Sequence, residues 1–288
     1  LLVPGTKSII CVRMDYLVAV PEPRLVPFAP NSAIIARYAR GRDYHKVMRG
    51  RLKTLSQKIK AKVGDFESRP FADSAPIFEK SLAENAGMGW VGKHTLLIHK
   101  TSGSFFVLGE LFTSLELPFD QATTKHCGSC SACIDICPTQ AIVEPYLLDA
   151  RKCIAYLTIE FQGIIPEELR RGIGNRVFGC DDCQLICPWN SFAKTTPIDD
   201  FNPRHGLDDI QLIDLWQWDE NTFMANTEGS PLRRTGYQSF MRNVAIGLGN
   251  APFSDEILQQ LQASRPELND IVQVHIDWAI QEQLIKKH

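Results

Sequence analysis

Apolar positions change their period several times along the chain, and each change marks an element. Thr6 to Met14, behind a Pro4-Gly5 turn signal, is a short apolar run that reads as a buried strand. The stretch from Pro23 to His45 is first broken by prolines and then turns helical. From Tyr44 the positions Tyr44, Val47, Leu52, Leu55, Ile59 and Val63 recur every three to five residues, which predicts an amphipathic helix ending at Gly64. Phe66 to Asp73 reads as a strand and Ile77 to Ala86 as a helix, and Thr95 to His99 with Phe105 to Phe112 reads as a hairpin. Past Pro197 the chain is helical and acid-rich. From Ser230 three short helical patterns resemble one HEAT repeat with the start of a cap, a unit too small to bury both of its faces unless it docks on the preceding lobe. The fold class expected is α+β in three parts: an α/β lobe over 1–120, a cysteine-rich centre over 121–195 and a helical region over 196–288.

Nine cysteines fix the chemistry of the centre. Cys127, Cys130, Cys133 and Cys137, followed by Pro138, have the C-x2-C-x2-C-x3-C-P spacing of bacterial ferredoxins. In that arrangement three close thiolates share one 4Fe–4S cluster and the fourth cysteine ligates the other. Zinc, the competing metal, prefers paired C-x2-C knuckles. A second block, Cys180, Cys183 and Cys187-Pro188, lacks its opening cysteine, whose place is taken by Val177. Cys153 is the unassigned cysteine nearby. The expected sets are therefore Cys127, Cys130, Cys133 and Cys187 on one cluster, and Cys137, Cys153, Cys180 and Cys183 on the other. Cys11 remains as a small buried hydrophobe. An electron carrier has no need of the long insertion from Asp149 to Gly179, so the pattern implies that something beside the clusters is being shaped.

Net charge −2 and pI near 6.4 exclude a globally basic nucleic-acid binder but leave room for a local basic face. One such face runs along the Tyr44 helix and its approach, where Arg40, Arg42, Lys46, Arg49, Arg51, Lys53, Lys58, Lys60 and Lys62, against the single acid Asp43, are either a solvated surface or a contact for an anionic partner. No apolar run is long enough to span a membrane, and the opening residues lack the shape of a secretory signal. Unpaired metal-type cysteines point to a reducing compartment, and the absence of an initial Met suggests that residues precede Leu1.

Three further features stay open on sequence alone. Asp73, before Ser74 and Pro76, is either a helix N-cap or an acid kept protonated in an apolar pocket to deliver a proton. Gly87, Gly89 and Gly92 around Trp90 and Lys93 form either a helix cap and tight loop or a backbone that approaches something flat. "DYHKVM" approximates a D-x-H-x-x-G cobalamin-ligand motif, but Met48 replaces the glycine, and His45 reads as a residue on the helix surface.

Taken together, "YARGRDYH", "PFADSAPIFEKSLAENAGMGWVGKHT", "CGSCSACIDICPTQAI", "RKCIAYLTIE", "GIIPEELR" and "FGCDDCQLICPWN" resemble the epoxyqueuosine reductase family in content and order. The resemblance implies a cytoplasmic oxidoreductase of queuosine biosynthesis that uses two 4Fe–4S clusters and cobalamin. Its substrate would be a tRNA with a GUN anticodon carrying epoxyqueuosine. It implies that Asp73 donates a proton, that the eight cysteines above ligate the clusters, and that a one-electron donor of flavodoxin or ferredoxin type feeds a monomeric enzyme. Corrinoid contacts are expected from Arg40, Asp73, Gly87, Gly89, Trp90, Gly92, Lys93 and Ala155. With no clear lower ligand in the sequence, the corrinoid is expected base-off. Arg170, Arg171, Arg233, Arg234 and Arg242 are expected to hold tRNA phosphates. Other readings are a corrinoid reductase of a small molecule, which would work without nucleic acid, a plain electron-transfer module, and a tRNA-binding scaffold with structural clusters.

Overall fold

The computed structural model describes residues 3–19, 29–263 and 265–287. The proline-broken stretch 20–28 lies outside them. In chain order the first elements are β1 (Ser8–Asp15), β2 (Ile34–Ile35), α1 (Tyr44–Val63), β3 (Ser68–Phe71), α2 (Glu79–Asn85), β4 (Trp90–Val91), β5 (Leu97–Ile98) and β6 (Phe106–Thr113). An antiparallel sheet of order β1-β6-β3 places Glu110 of the central strand opposite both Cys11 and Phe71. Helix α1 lies across this sheet through Val47, Met48 and Leu52, while its basic side chains stay exposed. Gly109 permits the approach, because a Cβ there would stand 2.7 Å from Met48 Cγ. Asp43 caps the helix by accepting from His45 N, and Gly64 ends it at φ 90°, a conformation that glycine adopts without strain.

The expected 95–99/105–112 hairpin does not form. Leu97 and Ile98 pair instead with Val91 and Trp90, and β6 is taken up between β1 and β3, where its apolar residues find cover on both sides.

The central part contains α3 (Ala132–Asp135), the hairpin β7 (Ile142–Glu144) and β8 (Leu147–Leu148), then α4 (Ile154–Ile159), α5 (Glu167–Ile173), β9 (Arg176–Phe178) and α6 (Asp182–Leu185). Short helices α3 and α6 follow equivalent cysteines, an internal two-fold echo. The insertion supplies α4, α5 and β9. Strand β9 pairs in parallel with β2, and Val177, at the missing-cysteine position, is fully buried there.

The last part holds α7 (Leu212–Trp216), α8 (Glu220–Asn226), α9 (Tyr237–Asn250), α10 (Asp255–Gln262) and α11 (Asp270–Lys286). Helix α9 is buried along most of its length and crosses α11 closely at Gly249, where a Cβ would meet the Trp278 ring at 2.6 Å. The largest apolar core joins Ile35, Leu157, Val177 and Phe178 to Phe240, Val244 and Ala279, so the C-terminal helices dock on the insertion. The fold is mixed α/β, and among the described residues no helix is long and apolar enough to cross a membrane.

Candidate active site

Eight cysteines are distributed over two cavities. Cys127, Cys130, Cys133 and Cys187 line a space of about 340 Å³ together with Lys93, His94 and Trp189. Cys137, Cys153, Cys180 and Cys183 line another of about 380 Å³. Among the described residues no three His, Cys, Asp or Glu side chains close on a site for a single ion. The thiols surround a volume instead, a donor set suited to a cluster with several irons. Burial pushes the Cys133 thiol up to about 11, with the neighbouring Cys187, Cys127 and Cys130 adding to it, and burial raises Cys180 and Cys183 as well. Crowded thiols of this kind become good ligands when bound cations offset their mutual repulsion.

The larger cavity extends well beyond its thiols. Phe106, Val107 and Leu108 of β6 line it, as do Ile154, Ala155 and Ile159 of α4, with Tyr16, Tyr38 and Tyr44 among its hydroxyls. Most of this lining is apolar, which suits a flat hydrophobic cofactor. His94 lines both cavities, is 4% exposed, and accepts from Leu96 N at Nδ1 (3.1 Å). Burial lowers its pKa to about 4, so its imidazole is neutral.

Asp73 stands beside this cavity. Tyr44 Oη donates to its carboxylate at 2.6 Å, and His45 Nε2 lies 3.0 Å from the same oxygen. His45 Nδ1 is 2.6 Å from Asp43 Oδ1. His45 is therefore no surface residue: it is 2% exposed and sits between two carboxylates. Its hydrogen bond to Asp73 pulls the Asp73 carboxyl below its ordinary value against the effect of burial, with Tyr44 helping. Burial alone would lower His45, but Asp43 and Asp73 outweigh it and raise the imidazole above 6.5. Asp73 is thus ionised at neutral pH, and His45, with its proton affinity raised, is placed to share a proton with it. Of the two readings open on sequence, the structure shows neither an N-cap nor a neutral acid: Asp73 is a lowered carboxyl held by Tyr44 and His45.

The linkage has a definite sign. His45, with its folded value raised, contributes stability in full below its unfolded value near 6.5 and loses it as pH climbs through the raised value. Asp43 and Asp73, both lowered, contribute in full above about 3.8 and lose it as pH falls through their lowered values. The network is worth most between about pH 3.8 and 6.5. His45→Gln will flatten that part of the stability profile, as read by urea unfolding from pH 3 to pH 9.

Comparison with known proteins fits this geometry. Residues 126–190 match the 4Fe–4S double cluster binding domain, and residues 1–74 match epoxyqueuosine reductase QueG, DUF1730. The epoxyqueuosine reductase of Pseudomonas aeruginosa is 55% identical over 280 residues, which cover 97% of this chain and 78% of that one. The chain belongs to the epoxyqueuosine reductase family. It is therefore an oxidoreductase with a double-cluster domain. Among solved structures, an epoxyqueuosine reductase with an epoxyqueuosine-modified tRNA-Tyr stem loop is similar at TM-score 0.87 and 28% identity, over 98% of this chain and 75% of that one. The Bacillus subtilis enzyme, described with its catalytic aspartate loop swung out of the active site, matches with the same figures.

Within this family member, several expected contacts fall elsewhere. The glycine turn is shaped by the protein's own backbone: a Cβ at Gly87 would meet the Gln121 carbonyl oxygen at 2.5 Å, one at Gly89 the Ile98 carbonyl oxygen at 2.1 Å, and one at Gly92 the Ile98 side chain at 2.5 Å. Trp90 is buried against His126 and Trp189, and Lys93 Nζ donates to the carbonyls of Gly128 and Cys130. This turn supports the smaller cysteine cavity, and of the expected corrinoid contacts only Ala155 lines the larger one. Arg40 is buried, with Nε on the Ile35 carbonyl and its charge acting on Asp181, so it presents no edge to a corrinoid or to tRNA.

The arginines expected to hold phosphates divide in the same way. Arg242 is fully buried and donates to the carbonyls of Leu157, Phe161 and Gly163 and to Asn243 Oδ1. Arg170 is buried over Trp278 with Nε on the Ile165 carbonyl. Both are structural, because each satisfies buried carbonyls of the chain around it. Arg171 is exposed and paired with Glu282 at 2.8 Å, while Arg233 is exposed and donates to the Met224 carbonyl. Arg234 is exposed, and its charge reaches Asp43, His45 and Asp73. Of the five it is the one tied to the Asp73 network. Arg242→Met will cost at least about 3 kcal/mol in urea unfolding, because it strips several buried acceptors of their donor at once.

Proposed function

We propose that this chain reduces the epoxide of epoxyqueuosine in tRNA to the alkene of queuosine. The observation that carries the reading is that one cavity is bounded both by the Cys137, Cys153, Cys180 and Cys183 thiols and by Tyr44, whose hydroxyl holds Asp73. A source of electrons and a source of protons meet at one apolar space. Loss of the epoxide oxygen as water consumes two electrons and two protons, which matches one electron from each of two clusters.

Two 4Fe–4S clusters, ligated by the two cysteine sets named above, would form the wire. The apolar lining from β6 and α4, Ala155 included, supports cobalamin as resident cofactor, which these residues would hold. The chemistry that a corrinoid supplies there is low-valent cobalt able to act on the epoxide carbon. The residues of the chain do the rest. Tyr44 fixes the Asp73 carboxylate, His45 supplies the proton that Asp73 relays to the leaving oxygen, and Asp43 raises the proton affinity of the imidazole. His45 and Tyr44 thus join Asp73 as candidate catalytic residues.

The tRNA, with a GUN anticodon, would lie over the exposed basic face of α1 and over Arg171, Arg233 and Arg234, its wobble base splayed into the cavity. Similarity to the structure holding an epoxyqueuosine-modified stem loop supports this. The helix pairs from Ser230 onward fit a HEAT-like unit. Electrons would come from a flavodoxin- or ferredoxin-type donor to a monomeric, cytoplasmic enzyme.

The test is nucleoside mass spectrometry on epoxyqueuosine-bearing tRNA, with anaerobically reconstituted protein and a strong reductant, with and without cobalamin. Product lacking one oxygen only when cobalamin is present supports the whole reading. Intact clusters with no product would put the wire to a different acceptor.

A further inference from the structure

A second carboxyl cluster underlies the Asp73 loop and has no part in the chemistry above. Asp73 is a non-glycine residue at φ 57°, a left-handed conformation that the surroundings must hold in place. The holding contact is Glu79 of α2, whose Oε1 accepts from Asp73 N in a short hydrogen bond. Behind Glu79 lies Glu110, at the middle of β6 and 0% exposed. Neither of its oxygens has a hydrogen-bond partner among the described residues, and Glu79 is the neighbouring charge that acts on it most strongly. A carboxylate could not remain there unpaired; a neutral acid donating to Glu79 can.

We propose that Glu79 and Glu110 are positioning residues for Asp73: one proton shared between them keeps Glu79 in place as the acceptor that pins the Asp73 amide, and loss of that proton frees the loop. The groups around the pair make this directional. From β1, Cys11 faces Glu110 as its register partner, and from β3 the apolar Phe71 does. Asp73 adds negative charge from its loop, and Asp120 adds more beside Cys11. His45 is the cation acting on Glu79. Burial raises Glu110 to about 9, with Glu79 and Asp73 adding to it. Below that pH the Glu79–Glu110 pair keeps a proton; above it both carboxyls are charged beside Asp73, and repulsion drives the loop outward. The role in turnover rests on Asp73 being the proton donor; the control of the loop does not.

The experiment is hydrogen exchange by mass spectrometry on the cluster-loaded protein, following the peptide across residues 71–78 from pH 6 to pH 10 after correction for intrinsic rates. Protection of this peptide should fall at least tenfold around pH 9 in the wild type. In Glu110→Gln, whose amide donates to Glu79 at every pH, protection should persist to pH 10. In Glu79→Gln, a weaker acceptor, it should be lower throughout. Protection independent of pH in the wild type, or the same fall in Glu110→Gln, overturns the proposal. Stability gives a second readout. Because the folded protein holds the Glu110 proton up to about pH 9, wild-type stability declines relative to Glu110→Gln as pH rises from about 4.5 toward 9. Parallel profiles would also overturn it. If instead exchange behaves as expected while Asp73→Asn retains turnover, the control of the loop stands and the proton-donor reading fails.

Discussion

Asp73→Asn will lower turnover on epoxyqueuosine-bearing tRNA at least a hundredfold while both clusters load normally. The size follows from what a positioned general acid contributes, about 10²–10⁴ in rate. Asparagine is nearly isosteric, and its carbonyl oxygen can still accept from Tyr44, so the loop keeps its anchor. What it loses is the ability to take a proton from His45 and pass it on. Without the Asp73 carboxylate, one of the two partners that raise His45 is gone, and the imidazole of the variant titrates lower than in the wild type. Single-turnover nucleoside mass spectrometry gives the rate, and an NMR titration of His45 gives the shift. Retained turnover removes Asp73 from the proton path whatever the titration shows.

Cys153→Ser will abolish turnover and roughly halve the bound iron, since each cubane carries four irons. Cys153 is the cysteine of its cavity supplied from outside both ferredoxin-type blocks. It stands at the N-terminus of α4, 27 residues before Cys180. A serine hydroxyl is a far harder ligand than a thiolate and would leave that cluster open to loss. The other set, Cys127, Cys130, Cys133 and Cys187, lines a separate cavity and should keep its electron paramagnetic resonance signal on reduction. An unchanged iron content and spectrum would mean that the ligand sets are drawn wrongly.

What could be read from the sequence followed the range of the signal. Helix α1 shows both its period and its ends, because Asp43 and Gly64 act locally as cap and stop. The cysteine spacing carries its own geometry, so the grouping around two cavities could be anticipated, including the recruitment of Cys153. The pairing of β2 with β9 could not: each strand is two or three residues long, and about 140 residues separate them. His45 was misplaced for the same reason. Its i−2 partner Asp43 was visible, but Asp73 reaches it only through the tertiary fold. Arg170 and Arg242 look like surface arginines until one knows that carbonyls from 157–165 converge on them. The glycines around Trp90 signalled close approach correctly, but the approaching group is the protein's own chain.

One contact also bears on the spacing of one thiol set. Asn243 Nδ2 donates to the carbonyls of Thr158 and Val177, lacing the segment between Cys153 and Cys180 to α9 from both sides. These two cysteines are therefore held at their spacing by a helix that is synthesised after them. The geometry of one thiol set is thus coupled to a helix that contributes no thiol to it, so a change at Asn243 can disturb the spacing of Cys153 and Cys180 without touching either.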